Sequence, residues 1–233
     1  MEDRNSDPAT DVSVVVAEEG LGGAFGKDYT RVGKLLATID TARFVEREMP
    51  TAPLFPSRKH LHLAALKMRR VEGLVLEFGV ASGRSINFLA EQIPAETVFG
   101  FDGFEGLPED WLATYKKGHF AQQLPDVRSN VELVVGWFDK TLPGFVASHP
   151  GDVSYLHVDC DLYSSTKTIF DLLGDRIRPG TVIVFDEYFN YPSWQQHEHK
   201  AFMELVAARK LRYRFIGAVR SKTQAAVVIE GVG

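Results

Sequence analysis

The sequence predicts an α/β fold: a seven-stranded, mostly parallel sheet with helices on both faces and a helical N-terminal extension. Three observations support it. After Gly73, seven short apolar runs are bounded by turn residues. Longer amphipathic stretches separate most of them. The last two runs lie too close together for a helix to fit between them. Strands that alternate with helices build a parallel sheet covered on both faces, and a closely spaced pair is antiparallel.

The elements follow in order. Residues 1–25 are polar and then glycine-rich (Gly20, Gly22, Gly23) and read as a flexible segment. Residues 26–72 read as the helical extension. Val32, Leu35, Leu36, Ile39, Phe44 and Val45 recur at helical steps between Asp28 and Glu48. Pro50, Pro53 and Pro56 break that pattern, and a second helix runs from Pro56-Ser57 to about Arg70. Residues 73–233 read as one ligand-binding domain. Its strands are expected at Leu74–Phe78, Val98–Phe101, Val131–Val135, Val153–Val158, Thr181–Phe185, Tyr213–Ala218 and Ala225–Ile229. Its helices are expected at Ser85–Gln92, Phe138–Ser148, Ser164–Arg176 and about Gln196–Lys210. The stretch from Gly103 to Asp126 breaks the rhythm; its aromatic residues Phe104, Trp111, Tyr115 and Phe120 suit a lid or substrate wall.

Composition narrows the function classes. The 233 residues are 45% hydrophobic and 24% charged, an ordinary globular balance. A net charge of −5 carries no footprint for nucleic acid. No apolar stretch is long enough to span a bilayer, and no secretory signal pattern opens the chain. With Cys160 as its single cysteine the chain forms no internal disulfide, and a cytoplasmic location is the expectation.

The sharpest local signal is Leu76-Glu77-Phe78-Gly79-Val80-Ala81-Ser82-Gly83-Arg84-Ser85, which leaves a strand and opens a helix. Gly79 and Gly83 allow the backbone to approach a ligand, and the helix start, with Ser82 and Ser85, offers unpaired N–H groups. The pattern is E-x-G-x-x-x-G, not the dinucleotide G-x-G-x-x-G. An acid at Glu77 suits the amino group and positive charge of S-adenosylmethionine and repels a pyrophosphate. Asp102, 25 residues further on and followed by Gly103, stands where an acid accepts from ribose hydroxyls. Trp137, after the third strand, is placed to cover the adenine face. Each also has a plainer reading: a glycine-containing turn, an Asp-Gly turn, a tryptophan packed on its helix.

Two further strands end in His157-Val158-Asp159-Cys160-Asp161 and Val184-Phe185-Asp186-Glu187. Neighbouring strands bring these acids to one edge, where they repel and raise each other's pKa. A hard divalent cation resolves the conflict; Mg²⁺ on Asp159, Asp186 and Glu187 is the expectation. Such a cation lowers the pKa of an acceptor hydroxyl, and Asp159 can take its proton. Asp161 reads either as part of this edge or as a start for the next helix. His197 or His199 is an alternative base, against a plainer reading as loop or capping residues. Cys160 and His157 read as structural.

From Leu74 to about Leu205 the chain resembles the macrocin-type sugar O-methyltransferases, a class I S-adenosylmethionine-dependent family with a Rossmann-like sheet. The matching pieces are Leu76 to Val80, Gly100-Phe101-Asp102-Gly103-Phe104-Glu105-Gly106-Leu107-Pro108, Gly136-Trp137-Phe138 with Thr141-Leu142-Pro143, and Val158-Asp159-Cys160-Asp161-Leu162-Tyr163-Ser164-Ser165-Thr166. The resemblance implies Mg²⁺-dependent methylation of a sugar hydroxyl on a small natural product. Asp159 and Asp186 match its metal ligands, and Glu187 replaces the second Asp of a pair. The expected function is therefore O-methylation of a small molecule by a homo-oligomeric enzyme. The rivals are an NAD-dependent oxidoreductase and a non-catalytic cofactor-binding protein.

Overall fold

The computed structural model describes residues 28–233. The flexible segment expected at residues 1–25 lies outside them. Helix α1 (Tyr29–Glu48) begins where expected, because the Asp28 carboxylate accepts from the Thr30 and Arg31 N–H groups. Its buried residues Ala37, Thr41 and Phe44 fall on one stripe. A short strand β1 (Leu54–Phe55) and helix α2 (Arg58–Met68) follow. The rest alternates: β2 (Leu74–Phe78), α3 (Arg84–Gln92), β3 (Val98–Asp102), β4 (Val131–Val135), α4 (Phe138–Ser148), β5 (Val153–Val158), α5 (Tyr163–Leu173), β6 (Ile177–Phe185), α6 (Glu198–Arg209), β7 (Leu211–Val219) and β8 (Ala225–Val232).

The sheet has eight strands in the order β1-β7-β8-β6-β5-β2-β3-β4. All neighbours pair parallel except β8, which runs antiparallel to both β6 and β7. The expected count of seven is corrected by β1. Three prolines flag Leu54–Phe55 as a helix break, yet they also suit a very short edge strand. Pro53 accepts from the Ala218 N–H, and Phe55 from the Arg220 N–H. Strands β6, β7 and β8 each run beyond their apolar centres, since hydrogen bonding to neighbours continues where hydrophobicity stops.

Alternation along the strands divides the core into two layers. Val75, Tyr155, Val182 and Val184 face α2 and α3, meeting Leu61, Ala65, Ile86 and Leu89. Leu76, Phe78, Leu156 and Ile183 face the other way, onto α4, α5, α6 and α1 through Leu142, Ile169, Phe202 and Phe44. Polar residues at positions 77, 157, 159 and 186 therefore share the α2 side of the sheet. Among the described residues no helix is long and apolar enough to cross a membrane.

Candidate active site

The carboxyl ends of β2, β3, β5 and β6 open into a cavity of about 780 Å³, within the range of ligand pockets. Its floor holds Gly79, Asp102, Gly103, Trp137, Asp159, Asp161 and Glu187. Its outer wall is the segment after β3, through Leu107, Trp111, Tyr115 and Phe120. The long aromatic loop is thus a cavity wall.

Gly79 sits where β2 and β5 converge. Its φ is +91°, and a Cβ there would lie 1.7 Å from the Asp159 carbonyl oxygen. Only glycine allows this approach. Asp102 holds the same turn from below. Its Oδ2 accepts from the N–H groups of Val80 (2.9 Å) and Ala81 (2.8 Å), and its Oδ1 accepts from Phe104 N–H (2.7 Å). The Trp137 ring lies against Gly103: a Cβ on that glycine would sit 3.6 Å from it.

Other expected cofactor residues stand behind the cavity. Glu77 has no exposed surface. Its Oε1 accepts from Ser85 Oγ at 2.9 Å, and its Oε2 pairs with His157 Nδ1 at 2.9 Å. Glu77 and Ser85 therefore brace the turn and do not reach the cavity. Ser82 is exposed and Gly83 buried, and neither lines it. Glu77, Ser82, Gly83 and Ser85, expected as cofactor contacts, thus stand outside the residues that line this cavity. An acid before the glycine turn has the right type for a cationic ligand, but its cross-strand partner His157 was not visible as such in the sequence.

The acids expected as metal ligands do not gather as one set. Ligand atoms of Asp159, Asp161 and Glu187 lie within 4.8 Å of one another, and so do those of His157, Asp159 and Asp186. Asp186 turns away from the cavity, because Arg58 at the start of α2 donates to both its oxygens at 2.9 and 3.0 Å and Gln224 donates at 3.1 Å. Asp161 replaces it beside Glu187. Asp161 has φ +61° and precedes α5 without capping it.

Burial, then the neighbouring charge of Asp186, raises the Asp161 carboxyl to about 7. Burial and the same neighbours push Asp159 and Glu187 well above the usual carboxylate range. Glu198, at the start of α6, was missed by sequence reasoning. It is fully buried, accepts from the Glu187 N–H at 3.1 Å and from Cys160 N–H, and is also held well above its ordinary value by burial. A glutamate in the first turn of a helix looks like an ordinary dipole partner, which hid it.

The two histidines expected as alternative bases stand outside the cavity lining. His197 lies behind Trp111 and Tyr191, with ring centroids 6.3 and 5.8 Å away, and does not line the cavity. His199 packs among Phe44, Tyr188 and Trp194. Burial lowers its pKa to about 4. Cys160 and His157 are buried, and Cys160 also lines the cavity.

A sheet of this order with its one reversed strand, and a cavity at the carboxyl ends of its central strands, define the class I methyltransferase fold. Residues 76–188 match the family model described as a methyltransferase domain. Over 143 residues it is 31% identical to the 8-demethyl-8-(2,3-dimethoxy-alpha-L-rhamnosyl)-tetracenomycin-C 4'-O-methyltransferase of Streptomyces olivaceus. That match covers 51% of this chain and 54% of the relative, so the chain spans about half the length of the curated relative it matches. Among solved structures, the calicheamicin methyltransferase CalS11 aligns with TM-score 0.59 at 21% identity, covering 83% of this chain and 91% of that one. The O-methyltransferase NovP aligns with TM-score 0.56 at 20% identity, covering 74% and 80%. At these identities the structural likenesses establish the fold.

Proposed function

We propose that the chain is an S-adenosylmethionine-dependent O-methyltransferase acting on a hydroxyl of a small molecule, of the sugar-bearing natural-product type. The observation that carries this reading is the placement of Asp159. It lies on the floor of the same cavity as Gly79, Asp102 and Trp137, which supports a role beside both acceptor and cofactor. The name of the Streptomyces olivaceus relative, a 4'-O-methyltransferase of a rhamnosyl group, supports the acceptor class.

The cavity floor suits the cofactor. Asp102 and the Gly79 turn offer a carboxylate and close backbone approach, and Trp137 offers an aromatic face. The cofactor, when bound, supplies an electrophilic methyl group on a sulfonium. The chain's residues do the rest. Asp102 accepts from ribose hydroxyls, and Glu77 keeps the turn in place through Ser85. The aromatic wall excludes water. Burial makes the Asp159 carboxylate a stronger base than an exposed one, so it can take the proton of an acceptor hydroxyl.

The cluster of Asp159, Asp161 and Glu187 also suits a hard cation. These half-buried acids repel one another, and Glu187 Oε2 has no hydrogen-bond partner. Mg²⁺, when bound, would supply positive charge that lowers the pKa of the acceptor hydroxyl. The cytoplasmic location and the homo-oligomer belong to the same proposal.

The test is Asp159→Asn. Turnover should fall by at least about 100-fold, while S-adenosylhomocysteine still binds by calorimetry. Near-normal turnover would sink the assignment. Nicotinamide binding in place of S-adenosylhomocysteine would favour an oxidoreductase, which lacks its G-x-G-x-x-G motif here.

A further inference from the structure

Glu198 opens α6 with no exposed surface, and it does not line the cavity. A helix start is served as well by an exposed acid, which meets the dipole without leaving water. Burying a carboxyl near Asp161 and Asp186 is costly. Among the described residues no cation pairs with it. A residue kept at such a cost has a task beyond starting a helix.

Its partners show the task. Glu198 Oε2 accepts from the Glu187 N–H at 3.1 Å, and the same carboxyl accepts from the Cys160 N–H. Cys160 follows β5 and Glu187 follows β6, so one side chain ties together the two loops that carry the floor acids. Glu187 is fixed from its other side as well, since the Tyr191 hydroxyl donates to its carbonyl at 3.2 Å. The β5 loop is strained. The Leu162 N–H donates to the Cys160 carbonyl at 2.6 Å, closing a three-residue turn with Asp161 at its centre. Asp161 has φ +61° there, the rare sense of such a turn and an unfavourable one for a residue with a Cβ. Conformations of this kind persist only where the surroundings over-determine them. Thr166 Oγ1 lies 3.4 Å from Cys160 Sγ, and Glu198 meets the N–H of the same cysteine. The turn brings Asp161 beside Asp159 and Glu187, with carboxylate oxygens of all three within 4.8 Å of one another.

We propose that Glu198 is a positioning residue for methyl transfer. By bridging the N–H groups of Cys160 and Glu187 it holds the Asp161 turn and the end of β6 in register. That register sets the spacing of the Asp159, Asp161 and Glu187 carboxylates in the cavity. The inference rests on the methyl-transfer reading above. Glu198 supplies reach and an acceptor oxygen, not charge, because it touches neither acceptor nor cofactor.

The experiment compares three variants of the full chain. Glu198→Gln keeps the reach and an acceptor oxygen, Glu198→Asp keeps the charge on a shorter arm, and Glu198→Ala removes both. Turnover is followed with methyl-labelled S-adenosylmethionine and para-nitrophenyl α-L-rhamnoside. The clamp itself is read from the amide proton resonances of Cys160 and Glu187. In Glu198→Asp and Glu198→Ala, kcat should fall by about 100-fold, the scale set by a small misplacement of reacting groups. The KM for S-adenosylmethionine and the Kd for S-adenosylhomocysteine should hold, and Glu198→Gln should recover most of the rate. Both amide protons should lie downfield in the wild type, stay there in Glu198→Gln and move upfield in the other two. If Glu198→Ala does not fold, the Gln and Asp variants carry the comparison. Unmoved amide protons in Glu198→Asp overturn the proposal. So does turnover that survives Glu198→Asp but is lost in Glu198→Gln, which would make Glu198 act through its charge. Loss of S-adenosylhomocysteine affinity in step with turnover overturns it too, because that is collapse of the site. The amide resonances need neither cofactor nor acceptor. They decide the clamp even if the wild type binds no S-adenosylhomocysteine, the result that sinks the methyl-transfer reading.

Discussion

Replacing Gly79 by Ala should damage both the fold and the site. The added Cβ would lie 1.7 Å from the Asp159 carbonyl oxygen and 2.6 Å from its carbon. These are backbone atoms, so no rotamer change relieves the clash. The ends of β2 and β5 must part by more than about 1 Å to restore contact distance. That movement strains the Asp159 N–H to Phe78 bond of 2.8 Å and the Gly79 N–H to Phe101 bond of 2.9 Å. Each is worth about 1 kcal/mol, and the φ of +91° adds about 1–2 kcal/mol for a residue with a Cβ. A loss of about 3–4 kcal/mol follows. Urea unfolding followed by tryptophan fluorescence measures it, and calorimetry with S-adenosylhomocysteine reads the site. Asp159 shifts with the strand end, so affinity should fall too. A loss below about 1 kcal/mol with intact binding would refute the close-approach argument.

Other perturbations separate the parts of the site. Asp102→Ala removes the acceptor of three backbone N–H groups. It should cost about 2 kcal/mol in urea unfolding and weaken S-adenosylhomocysteine; a variant with unchanged affinity would remove Asp102 from the cofactor site. Trp137→Ala should raise the Kd for S-adenosylhomocysteine by about 1–3 kcal/mol of lost stacking, with little effect on unfolding, and an unaltered Kd would return Trp137 to a packing role. His199→Phe tests the pH dependence. The folded-state pKa of His199 is depressed to about 4 by burial, against the opposing charge of Glu48. The unfolded chain therefore binds the proton first, and this group's stability is present above about 6.5 and lost as pH falls toward 4. The variant should gain on the wild type across that window by about 1–2 kcal/mol, a figure reduced for solvent screening of the partly exposed ring. A pH-independent difference would place His199 in water.

The sequence by itself determined the class of the fold. Apolar runs of strand length, alternating with amphipathic helices, specify a parallel sheet because each element must bury its own face. The closeness of the β7 and β8 runs determined the reversed strand, since no crossover fits between them. The glycine turn at Gly79, the acid at Asp102 and the acidic ends of β5 and β6 were legible because residue type and strand position suffice to mark them. What lies across from each acid was decided only by the tertiary structure. Arg58, 128 residues away in the chain, claims Asp186. His157 claims Glu77, and Asp161 joins Asp159 and Glu187. β1 was hidden as well, because two residues between prolines carry no period and become a strand only when the edge of β7 is beside them. Local patterns record which face a residue must bury. Pair energies between distant charges depend on separations that only the packed chain defines.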